Sequence, residues 1–147
     1  GHYKQFDDLV ELYNDKYAKP IAAVMKELED KGYLTKQPMD AKIKWTWFEI
    51  WHHEGRRARH GASMMGPDYA WWHGIYEVSQ HTYFKWIPEL KEVVRKKDGN
   101  EDFANAMLEK YFKPIEGHDW FFNGMGKEAI EKVRKGYEDR YGKGSMK

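Results

Sequence analysis

A chain of 147 residues with 25 Lys+Arg against 24 Asp+Glu carries a formal net charge of only +1, which gives no bulk electrostatic pull toward nucleic acid or an anionic membrane. It contains no cysteine, so thiolate zinc sites, thiol catalysis, disulfides and attachment of c-type haem through a CxxCH motif are excluded within these residues. No apolar run approaches the roughly 20 residues that span a bilayer, and residues 1–20 show no signal-peptide pattern. The chain opens at Gly1-His2-Tyr3-Lys4 without an initiator Met, the expectation for a mature, trimmed or partial chain.

Apolar positions Phe6, Leu9, Val10, Tyr13, Tyr17, Ile21, Val24, Met25 and Leu28 follow three-and-four spacing and predict a helix over 6–31, bent or split near Pro20 and stopped by Gly32. Residues 35–39 read as a loop, with Asp40 as N-cap of a second helix from Ala41 to about Arg59. Gly66-Pro67-Asp68 restarts the chain, because Pro suits the first helical position and an acid suits the positive end of the helix dipole. A third helix is predicted from Tyr69 to about Lys96, disturbed at Pro88 and ended by Asp98-Gly99-Asn100. A fourth covers about Glu101 to Phe112 and the last about Lys127 to Tyr141, before a frayed tail at 142–147. With no strand-like alternation and no internal repeat, the expectation is an all-α bundle of about five helices, one domain over 1–147.

Seven Trp, ten Tyr and seven Phe make up 16% of the chain, either as bulky core or as a surface shaped for a large flat cofactor or another chain. Five of the seven histidines, His52, His53, His60, His73 and His81, fall within thirty residues, and histidine is the commonest metal ligand. His53 and His60 share a helical face but stand about 10.5 Å apart along the axis, too far to hold one small ion together. Glu49/His53 and Glu77/His81 have i,i+4 spacing and permit a carboxylate–histidine metal site in a bundle. The run Arg56-Arg57-Ala58-Arg59 suits phosphate or propionate groups, or a solvated face. No serine has a nucleophile-elbow context, and Gly61, Gly66 and Gly74 surround a helix break rather than follow a strand, so neither a hydrolase triad nor a phosphate loop is expected.

The segment 45–88 concentrates these groups at one helix-loop-helix corner. Tyr69 lies in the first turn behind Gly66-Pro67, where its ring can project past the helix end, and Tyr69, His73 and Tyr76 share a face at 3.6-residue periodicity.

The run Trp51-His52-His53-Glu54-Gly55-Arg56-Arg57-Ala58-Arg59-His60-Gly61-Ala62-Ser63-Met64-Met65-Gly66-Pro67-Asp68-Tyr69-Ala70-Trp71-Trp72-His73-Gly74 resembles the C-terminal helical region of the hydroxylamine oxidoreductase family. These are octahaem cytochromes c that include the hydrazine dehydrogenases of anaerobic ammonium oxidisers. The resemblance is strong over Ile50 to Pro88 and weaker in the flanking helices. It implies that Tyr69 bonds covalently to the catalytic haem of a neighbouring subunit in a homotrimer. Attachment at the porphyrin edge would break ring conjugation and planarity and change the haem's electronics. Members without the tyrosine look reductive, so Tyr69 implies oxidation of hydroxylamine or hydrazine, with electrons leaving through bis-histidine haems to a soluble cytochrome c. His53 and His60 are the implied haem ligands, with His73 a further candidate. The family's haem-attachment motifs, and the His and Asp over the substrate, are absent here. The resemblance therefore implies the C-terminal portion of a longer haem-bearing enzyme in a periplasmic or equivalent compartment such as the anammoxosome, inactive by itself. From the residues alone, two other readings stand: a haem-free interaction domain whose histidines are satisfied by Glu49, Glu54 and Glu77, and the carboxylate–histidine metal bundle. The haem-module reading implies a large exposed apolar surface; a haem-free domain would be colourless.

Overall fold

A computed structural model describes residues 1–124 and 126–144. Among them the protein is all-α, with six continuous helices and no strand: α1 (2–30), α2 (42–63), α3 (68–98), α4 (Asp102–Tyr111), α5 (Asp119–Asn123) and α6 (Lys127–Tyr141). The short α5 is not anticipated by the 3.6-residue pattern, which needs more than one turn to register. Of the tail expected to fray, 142–144 form a turn and 145–147 lie outside the described residues. The chain divides into two compact units, Gly1–Phe112 with α1 to α4 and Lys113–Lys147 with α5 and α6.

In the first unit the buried positions of α3 recur every four residues: Ala70, Gly74, Val78, Thr82, Trp86, Leu90 and Val94. A 3.6-residue helix cannot keep such a row facing one way, because each step of four overshoots a full turn. The helix answers with two wider, π-type stretches, Asp68–Tyr76 and Thr82–Trp86. Row Leu9, Tyr13, Tyr17, Ile21 in α1 and row Thr46, Ile50, Glu54, Ala58 in α2 behave alike, with π-type turns at Asn14–Ala18 and Glu49–Glu54. Pro20 and Pro88 each follow such a turn by two residues. Proline lacks an N–H and crowds the carbonyl four residues back, and the widened turn accommodates both defects while the helix continues. At Pro20, the point expected to bend or split, α1 therefore runs through.

The corner between α2 and α3 is built on small residues. A Cβ on Gly61 would fall on the backbone of Tyr69 and Ala70, and one on Gly74 on Ala58, all under 3.0 Å. Ala58 and Ala70 are buried with Leu9 of α1, flanked by Ala62 and Ile75. Gly55 lies flush against the ring of Tyr13. The α2 C-terminus closes by paired backbone bonds, Gly66 N–H to Gly61 O at 2.7 Å and Met65 N–H to Ala62 O at 3.3 Å. Met65 takes the left-handed position (φ 58°) usually given to glycine, as Gly32 does at the end of α1.

Asp40 does not cap α2, whose N-cap is Ala41 without a side-chain bond. Its carboxylate instead accepts from the buried Lys44 ammonium at 2.6 Å and from the Thr35 hydroxyl, while Lys44 also donates to the carbonyls of Thr35 (2.8 Å) and Gln37 (2.5 Å). All three ammonium protons are used, so the charge is satisfied and the loop between α1 and α2 is tied to the helix it precedes. Lys44, then Thr35, holds the Asp40 carboxyl below its ordinary range.

In the second unit, α6 has no buried residue and carries Ile130, Val133, Tyr137 and Tyr141 exposed at three-and-four spacing.

Gly61→Ala is expected to cost about 2–3 kcal/mol because backbone atoms block the added methyl, whereas Gly136→Ala, with open space around it, raises helix stability by about 1 kcal/mol; urea titration followed by circular dichroism checks both. Lys44→Met strands Asp40 and two carbonyls and is expected to lower stability by about 2–3 kcal/mol in the same assay.

Candidate functional site

Because glycines and alanines fill the α2–α3 contact, the large side chains around it point outward. Tyr69, Trp71 and Trp72 are 57%, 55% and 56% exposed, and Trp45, Trp51, Tyr76, Phe84, Met64 and Met65 are exposed as well. The Trp72 and Tyr76 rings stack in parallel at 4.5 Å.

One face of this corner holds a concavity of about 550 Å³ lined by His52, His53, Arg56, Arg57, His60 and Tyr69. His53, His60 and Tyr69, three residues singled out by the sequence, thus meet at one place. Helix α2 supplies His52, Arg56 and His60 at four-residue steps, and Tyr69 enters from the first turn of α3. The sequence signal for joining His52 and Arg56 to His60 is the spacing 52, 56, 60, since residues four apart are neighbours on a helix surface.

His73 does not line the concavity. Its ring lies 5.5 Å from that of Tyr69, and its two nitrogens face carboxylates: Nδ1 is 3.3 Å from Glu77 Oε1 and Nε2 is 3.6 Å from Asp68 Oδ2. Tyr76, expected on the same face as Tyr69 and His73, stacks on Trp72, since the wide turn at Asp68–Tyr76 rotates it away. Glu77 also accepts from Arg57 Nη1 at 2.9 Å, and Arg57 Nη2 lies 3.9 Å from the buried Glu54. Asp68, His73, Glu77, Arg57 and Glu54 therefore form a run of close polar contacts that links α2 to α3, with Arg57 itself in the wall of the concavity.

Of the carboxylates expected to satisfy histidines, Glu77 reaches His73, Glu54 lies 3.1 Å from His81 Nδ1, and Glu49 pairs with Lys85 at 2.7 Å. The Glu54–His81 contact is within ion-pair distance but off hydrogen-bond geometry, since His81 Nδ1 and Glu54 Oε2 have no hydrogen-bond partner. Neither i,i+4 pair proposed for a metal, Glu49/His53 or Glu77/His81, is made. A Glu-x-x-His spacing occurs once, at Glu49–His52, but among the described residues no group of three His, Asp or Glu is placed to hold a metal ion. The rings of His53 and His60 and the hydroxyl of Tyr69 carry no hydrogen bond; the His53 ring meets the Phe48 ring edge-on at 5.7 Å and the His52 ring at 5.3 Å. His52 stacks on Phe48 at 4.6 Å with its Nδ1 buried and unpartnered.

Behind the site, Tyr13 is buried under Gly55, with the Arg59 guanidinium 5.1 Å over its ring. Burial pushes its hydroxyl up to about 12, partly offset by Arg59.

Comparison with protein-family models, curated proteins and solved structures returned no match. No helix among the described residues is long and apolar enough to cross a membrane.

Because the fold holds Tyr13 neutral, its contribution to stability is complete below about pH 10 and lost as pH rises through about 12. Relative to Tyr13→Phe, the wild type should lose on the order of 2 kcal/mol across that window, measured as the gap between urea midpoints at about pH 9 and about pH 11.5.

Proposed function

We propose that this chain is the C-terminal helical part of a multihaem oxidoreductase of the hydroxylamine oxidoreductase type, inactive alone and working against haem held by other polypeptide. The observation that supports this most is the meeting of an exposed, unbonded Tyr69 phenol with the unpartnered imidazoles of His53 and His60 on one open concavity. Each donor type fits a part of a haem: phenol oxygen for covalent attachment at a ring edge, imidazole nitrogen for an iron, guanidinium for acidic side arms. Bound there, the haem supplies the centre that takes electrons from hydroxylamine or hydrazine.

This chain's own residues position and exclude. Tyr69 is carried on a turn linked to α2 by the Glu54–Arg57–Glu77–His73–Asp68 contacts, so its ring is presented from a fixed base. His53 and His60, too far apart for one ion, serve separate irons in this reading, and His73 acts through its carboxylates as a support for Tyr69. The exposed Trp71, Trp72, Tyr76 and Phe84 supply the apolar surface that a neighbouring subunit would cover, in keeping with a homotrimer in which Tyr69 reaches across. A soluble cytochrome c as electron acceptor and a periplasmic or equivalent compartment belong to the same proposal.

A haem-free interaction domain is the second reading, favoured by the carboxylates placed beside His73 and His81. The two separate on the native protein under denaturing conditions. The haem reading requires a coloured species whose Tyr69 peptide carries porphyrin, and a colourless species of this chain's mass overturns it. Tyr69→Phe should abolish the crosslink and the catalytic haem's distinctive spectrum, with stability changed by less than about 0.5 kcal/mol; an unchanged spectrum would remove Tyr69 from the role.

A further inference from the structure

The three arginines of the run 56–59 have different occupations. Arg57 is committed to Glu77 and Glu54, and Arg59 lies over the Tyr13 ring. Arg56 is exposed, lines the concavity, and has neither an ion pair nor a hydrogen bond. No Asp or Glu lines that concavity, so the charge of Arg56 is uncompensated where it faces the opening. A guanidinium fork matches the two oxygens of a carboxylate, and the three imidazoles that line the same concavity bring further hydrogen-bonding nitrogens beside it. The phenol and imidazole rings in its walls offer flat faces to a planar ring system as well as polar atoms to its substituents.

We infer that Arg56 is the residue by which this concavity recognises an acidic side arm of a planar, carboxylate-bearing ligand of the tetrapyrrole class. The inference rests on the function proposed above and deepens it. Arg57 is already held by Glu77 and Glu54, so Arg56 is the fork left to close on the ligand.

The test uses metal-free mesoporphyrin, whose two propionates remain while iron ligation by His53 or His60 is removed, against its dimethyl ester. Each is titrated into the full chain in dilute detergent and followed by porphyrin absorbance and tryptophan quenching. The diacid is expected to bind about 10-fold or more tightly than the diester, the size of one charge-assisted bidentate contact. Arg56→Gln should erase that preference while leaving diester affinity and helicity unchanged, and Arg56→Lys should restore part of it. Equal binding of diacid and diester by the wild type, or a preference that survives in Arg56→Gln, overturns the inference. Its failure is distinguishable from that of the parent reading. A native Tyr69–porphyrin crosslink with no Arg56 effect sinks only the role of Arg56. An Arg56-dependent preference for the diacid without any native crosslink sinks only the redox assignment.

Discussion

The near-contact of two helix backbones at the α2–α3 corner governs the rest of the first unit. Gly61 against Tyr69 and Ala70, and Gly74 against Ala58, leave no room for a side chain between the helices. Dispersion and burial there come from backbone and methyl groups, which is why Ala58 and Ala70 count as core although each is small. Every large residue in this stretch is consequently displaced to the flanks. Tyr69, Trp71 and Trp72 are exposed for lack of space inside, and the concavity lies along the outer face of α2 with Tyr69 of α3 at its margin.

The four-residue row of buried positions is the second constraint, and it acts on the backbone. An α-helix would turn such a row away from the core by about 40° at each step. Wide turns at Glu49–Glu54 and Asp68–Tyr76 absorb that drift, and they carry His52, His53 and Tyr69. Tyr69 stays beside His73 as helical spacing requires, while the same widening that keeps Gly74 and Val78 inward turns Tyr76 off that face to stack on Trp72. Site geometry and core geometry are therefore one solution, and wide turns at functional positions are a recurrent association.

Polar groups inside this arrangement sort the histidines. Carboxylates on α2 and α3 claim or approach His73 and His81, and Lys85 claims Glu49, so the i,i+4 pairs that looked like metal chelators are broken up by partners from the opposite helix. What stays free is the exposed face of α2, with His53, Arg56 and His60. The chemistry open to that face is set by what the contacts between α2 and α3 have already consumed.

The amino-acid sequence by itself determined five of the six helices, their order and most of their ends to within a few residues, because amphipathic periodicity and the glycine stops at Gly32 and Gly99 are local physics. It also marked Tyr69, His53 and His60 as the residues to watch. The small-residue row 58, 61, 70, 74 and the four-residue period of α3 were visible as letters, but their meaning is a distance between backbones, which no single helix expresses. Asp40 illustrates the limit: its residue type suits an N-cap, yet a buried ammonium three residues into α2 outbids two backbone amides for its carboxylate. Only the tertiary structure decided which carboxylates Arg57 and His81 meet, which arginine is left unpaired and which aromatic rings face outward, since these depend on partners 20 or more residues away and on the space the helix contact leaves.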